Sequence, residues 1–198
     1  MSKDEQPPAY WAAFESFVNE FKGETDRAAV ILGAAKLDAV LAQILDRHFA
    51  PSLSSIDELL DGDSPLATFS ARINVCYRLQ LISAEFAKAL HLVRRIRNSF
   101  AHEISGVSLE HGAHSDRLKS LLMPIRPLPF FKLFRDHYFG VSTPGSDFKA
   151  CLAIMAARLE ARLEATDPID ADNAWNFVLK SWADEKHNED DAPSSGAT

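Results

Sequence analysis

Apolar residues recur along this chain at three- and four-residue spacing and nowhere alternate convincingly at period two, which predicts helices and no strands. Trp11, Phe14, Phe17, Val18 and Phe21 form a first amphipathic stripe, stopped by Gly23. Thr25 reads as the cap of a second helix that runs until Pro51 forbids continuation. It is apolar on most sides around Val30 to Leu37, which predicts a central position, and Gly33, Ala34 and Ala35 leave room for a neighbour to approach closely. Ser55 and Glu58 have capping-box spacing, so a short helix closed by Gly62 is expected, followed by a helix capped by Ser64 with Pro65 in its first turn. Ser83 caps the next, with Glu85 complementing its dipole. On that helix Phe86, Ala89, Val93, Ile96 and Phe100 share one side, and His91, Arg95, Asn98 and His102 lie nearly opposite. The pattern breaks after Glu103 into a loop, then a short turn of helix from Arg117 to Leu122. Pro124, Pro127 and Pro129 predict an extended strap carrying Phe130, Phe131, Phe134, Tyr138 and Phe139. A helix from about Asp147 to Ala165 follows, and Asp170 caps a last one with Trp175, Phe177, Val178 and Trp182.

The expected fold is therefore all-α, a compact bundle of about seven or eight helices with a proline and aromatic strap. Residues 1–7 read as a flexible tail, 8–187 as a single all-helical domain, and 188–198 as a disordered acidic tail. No run approaches the roughly 20 apolar residues of a membrane span, and the acidic, polar start is unlike a secretory signal, so the expected location is the cytoplasm. Cys76 and Cys151 each sit in an apolar helical pattern and read as buried, reduced thiols.

Net charge is −7, which argues against a surface given over to nucleic acid. Its distribution is uneven: counting Lys and Arg against Asp and Glu, residues 1–63 carry 5 against 12, residues 64–149 carry 12 against 6, and residues 150–198 carry 4 against 10. A basic middle between acidic ends pairs internally on folding or meets an anionic partner.

Chemistry concentrates between Ser83 and His102. Arg97 lies at the edge of the apolar face, where a guanidinium persists if a carboxylate or carbonyls satisfy it, and Asp26 or Asp38 on the second helix is its expected partner. Arg97, Asn98 and His102 also match the short Arg-polar-x3-His signature that resembles the HEPN superfamily, some of whose members cleave RNA without metal. In that reading, two copies face each other, the guanidinium stabilises a pentacoordinate phosphate and the imidazole moves the 2′-hydroxyl proton. The structural alternative, preferred because an acidic chain is poorly suited to RNA, leaves no catalytic residue. His111, His114 and Asp116 have metal-ligand spacing but lack a fourth ligand, so no metal and no cofactor is expected. The helices on either side of Leu79–Ser83 have the turn length of a helix-turn-helix, but Phe86, Val93 and Phe100 hold the second one in the core.

Three phrases, ETDRAAVILGAAKLDAVL, SPLATFSARINVCYRLQLIS and LVRRIRNSFAH, occur in the order and spacing of the mannitol operon repressor family, which this chain resembles over roughly residues 14 to 122. The resemblance implies a compact all-helical regulator of sugar-alcohol uptake genes without an obvious DNA-binding domain. Its motif positions fall on Asp26, Arg27, Phe69, Ser70, Arg72, Arg97, Asn98, Phe100 and His102. Asp26, Arg27, Asp38, Arg72 and Arg97 are expected to form one buried charge network bracing the helices. The surface of His91, Arg94, Arg95 and Asn98 is expected to dock a regulatory protein partner. Direct DNA binding, metal-independent RNA cleavage and a homodimer stay open as alternatives.

Overall fold

A computed structural model describes residues 9–103 and 107–169, and among them it shows seven helices and no strand. They are α1 (Ala9–Phe21), α2 (Asp26–His48), α3 (Phe69–Arg78), α4 (Ala84–His102), α5 (Gly112–Leu122), α6 (Pro129–Phe139) and α7 (Pro144–Glu164). All seven belong to one unit that ends at Pro168. The expected tails and the helix after Asp170 lie outside the described residues.

The cap residues explain most of the boundaries. Thr25 accepts a hydrogen bond from the Ala28 amide, and Ser83 accepts one from the Phe86 amide at 3.2 Å. Each satisfies an amide that has no partner inside its helix. Thr143 and Ser146 form a reciprocal capping box at the start of α7, with Pro144 in the first turn.

α2 and α7 are the central pair. α2 packs most extensively on α7 and then on α4 and α3; α1 and α6 flank α7, and α5 bridges α4 and α7. Gly33 makes the α2–α7 approach possible, because a Cβ there would collide with Cδ1 of Leu152 and crowd Phe21. The core runs through Val30, Leu37 and Leu41 of α2, Leu90, Val93, Ile96 and Phe100 of α4, and Phe148 and Leu152 of α7. α2 also corrects the expectation that nothing approaches a membrane span: by length and composition it is apolar enough to cross one. In this fold Val30, Leu37, Leu41 and Ile44 are buried against neighbouring helices, while Leu32, Ala35 and Ala39 remain exposed.

Four local expectations differ from the structure. The segment Ser55–Gly62 is a set of turns, not a helix, with Asp57 Oδ1 accepting from the amides of Leu59 at 2.7 Å and Leu60 at 3.0 Å. Leu53, Ile56 and Leu59 are exposed, so no buried face supports a helix too short to stand alone. α3 begins after Thr68, which caps it, while the Ser64 hydroxyl donates to the Leu59 carbonyl instead. The strap is helical from Pro129 onward: that proline occupies the first turn, where its missing N–H costs nothing. Phe131 and Phe134 are thereby turned inward and Phe130 outward. α5 starts at Gly112, five residues before Arg117.

Candidate functional site

α4 packs against α2, α3 and α5, which leaves one strip of it facing outward. Along that strip His91 is half-buried with Nε2 3.1 Å from Asn74 Oδ1, Arg94 and Asn98 are half-buried, and Arg95 and His102 are exposed. The Ser99 hydroxyl donates to the Arg95 carbonyl and accepts from Arg117 Nη1 at 3.2 Å, tying α5 to the strip. Among the described residues no ion pair engages Arg94, Arg95 or Arg97, and Nε of Arg94 is buried without a hydrogen-bond partner. Burial, reinforced by repulsion from Arg94 and Arg95, holds the His91 pKa below its ordinary value. The strip is a band of uncompensated positive charge around a neutral imidazole.

The expected charge network separates into distinct contacts. Arg72 Nη1 donates to Asp38 Oδ1 at 2.9 Å and its Nε donates to the Leu66 carbonyl at 2.8 Å, so this arginine clamps the loop before α3 onto α2. The Arg27 guanidinium donates to the Glu103 carbonyl near the end of α4. Asp26 lies over Gly145, where a Cβ would collide with its carboxylate. Half-buried Arg97 has no hydrogen bond or ion pair with Asp26 or Asp38, in contrast to the sequence expectation. Twelve positions on α2 separate the two aspartates by about 18 Å, so they cannot belong to one network. Asp38 already holds Arg72.

Arg97 and His102 lie on the last turns of α4, half-buried and exposed respectively, and no hydrogen bond joins them. The loop histidines do not converge either. Exposed His111 is 3.8 Å from Glu110, His114 packs edge-on against Phe100 with Nε2 3.7 Å from Glu103, and Asp116 pairs with Lys119 at 3.4 Å. Among the described residues no group of three or more His, Cys, Asp or Glu side chains is placed to hold a metal ion.

The most deeply buried charge pair joins residues that sequence reasoning passed over. Asp147, 1% exposed, accepts from Arg135 Nη1 at 2.9 Å, from Arg126 Nη2 at 2.8 Å and from the Ser142 hydroxyl at 3.1 Å. Arg135 is itself 8% exposed and donates Nε and Nη2 to Asp136 at 3.0 and 2.7 Å. Those bonds, with the charge of Asp147, raise its pKa above the ordinary arginine value against the opposing effect of burial. This cluster locks α6 onto the first turn of α7. From sequence, Asp147 marked only the approximate start of a helix, and nothing periodic links it to Arg126 or Arg135.

With this architecture in hand, the chain can be compared with known proteins. No family model matches it, and no curated protein matches it in sequence. A solved structure does: the X-ray structure of the MtlR–HPr complex from Escherichia coli contains a chain that superposes with a TM-score of 0.52 and 17% identity, over 76% of this chain and 98% of that one. The two chains share a fold. The likeness supports the all-helical architecture independently of the motif phrases. It covers nearly the whole length of the neighbouring chain and about three quarters of this one.

Proposed function

We propose that this chain is a non-enzymatic transcriptional regulator of the mannitol operon repressor type, acting in the cytoplasm through contacts with a regulatory protein and without a helix-turn-helix of its own. The observation that carries this reading is the outward strip of α4, where His91, Arg94, Arg95 and Asn98 present positive charge with no acidic side chain bonded to Arg94 or Arg95 among the described residues. Guanidinium groups left unpaired on a rigid helix are poised for the carboxylates or phosphates of a partner. The solved neighbour is a complex of MtlR with HPr, which supports a protein partner and suggests HPr as the first to try. The buried free thiols Cys76 and Cys151 suit a reducing compartment.

The test is a calorimetric titration of the purified chain with purified HPr. A saturable complex is expected, weakened about tenfold or more by Arg94→Ala with Arg95→Ala, at unchanged helicity. Two outcomes overturn the proposal. One is RNA cleavage in EDTA that disappears in Arg97→Ala with His102→Ala; the other is a salt-sensitive shift of operator-length DNA by the chain alone.

A further inference from the structure

Between α1, α6 and α7 lies an apolar groove of about 460 Å³ whose floor is the buried rings of Phe14, Phe131 and Phe134. Leu128 and Phe130 stand at its wall, 50% and 61% exposed. Among the described residues Arg158 is the only charged one lining it. Arg158 also lines a smaller hollow of about 150 Å³ at the start of α4, beside Ser83 and Arg162. Arg158 is exposed and joined by no ion pair among the described residues; Nε of Arg162 is buried with no hydrogen-bond partner. The larger hollow has the size and lining of a small-molecule site, mostly aromatic and aliphatic with one polar group to orient the ligand. The adjoining one supplies two guanidinium groups, the geometry that pairs with a carboxylate.

We propose that the two hollows together bind one amphiphilic monocarboxylate, its apolar chain in the aromatic groove and its carboxylate between Arg158 and Arg162. The groove discriminates against polyols, because a sugar alcohol would bury hydroxyls against phenyl rings with no hydrogen-bond partners. A saturated alkyl chain loses nothing there and removes water from the exposed faces of Leu128 and Phe130. The site is a small-molecule one on α6 and α7, distinct from the α4 strip, and it holds or fails independently of the regulatory role proposed above.

The experiment is calorimetric titration of the full chain with octanoate, decanoate and dodecanoate below their micelle concentrations, and with dodecanol as the uncharged control. Binding is expected at one site per chain, tightening about fourfold for each added methylene until the groove is filled. Arg158→Gln with Arg162→Gln is expected to weaken dodecanoate about tenfold and to leave dodecanol unchanged. Ala157→Trp, which fills the groove from α7, is expected to abolish both. Absence of saturable dodecanoate binding overturns the proposal, and so does equal affinity in the arginine double variant. Should Ala157→Trp fail to fold, the double variant decides the matter, with circular dichroism confirming its helicity.

Discussion

Replacing Asp147 with Asn removes the charge at the centre of the α6–α7 lock while keeping the shape of the side chain. The carboxylate is 1% exposed and accepts from Arg126, Arg135 and Ser142. Breaking a buried pair by removing one partner costs about 3 to 5 kcal/mol, because the remaining charge stays out of water. Here the remaining charge is Arg135, whose side chain is 10% exposed but keeps its two bonds to Asp136. That partial compensation places the loss near the lower bound, about 3 kcal/mol. For a domain of this size the midpoint of thermal unfolding falls by about 2 to 4 °C per kcal/mol, so a drop of about 6 to 12 °C is expected. Arg126→Ala is the internal control: its side chain is 55% exposed, and its loss costs about 0 to 1 kcal/mol in spite of the 2.8 Å contact. Urea denaturation followed by circular dichroism, repeated as a thermal scan, measures both. If Asp147→Asn costs less than Arg126→Ala, or under about 1 kcal/mol, the cluster does not brace these helices.

Three further outcomes are expected. Gly33→Ala drives a methyl group into Leu152 at the α2–α7 contact and should cost about 1 to 3 kcal/mol in the same assay, whereas Gly23→Ala, with open space around it, should not. Burial pushes the thiols of Cys76 and Cys151 up to about 12, so a thiol reagent at pH 8 should label neither in the native protein and both in denaturant; rapid native labelling would refute their burial. The His91 pKa in the fold lies below its unfolded value of 6.5, so the protein should lose stability as pH falls from that value through the folded pKa. Histidine NMR titration should place His91 below 6.5, and Arg94→Ala with Arg95→Ala should move it upward; burial, the larger cause, should keep it from returning fully.

Much of the bundle was legible because its signals are local. Thr25 and Ser83 announce their helices in the next three residues, and the stripe Val93, Ile96, Phe100 fixes which side of α4 is buried without reference to the rest of the chain. The misreadings share a different character. Ser55 and Glu58 have the spacing of a capping box, but a helix of that length forms only where its neighbours bury it, and Leu53 and Ile56 face solvent. Pro129 was read as one more breaker in a proline-rich strap, yet a proline can equally open a helix, and α6 begins on it. The buried charge pairs were the hardest. Arg72 and Asp38 meet across two helices, Asp147 gathers donors from Arg126, Arg135 and Ser142, and Arg97, judged inward-facing from its wheel position, bonds to neither carboxylate candidate. Such partnerships depend on how helices cross, which no single stretch of sequence records.

The way α2 fits against α7 has a consequence for biosynthesis. The ribosome releases α2 roughly a hundred residues before α7 is complete, and at about 5 to 20 residues per second that interval is on the order of ten seconds. During it, a segment apolar enough to span a lipid bilayer is without its principal cover. The nascent chain therefore carries that apolar surface without its main partner until α7 emerges, and only the C-terminal half of the bundle withdraws it from water.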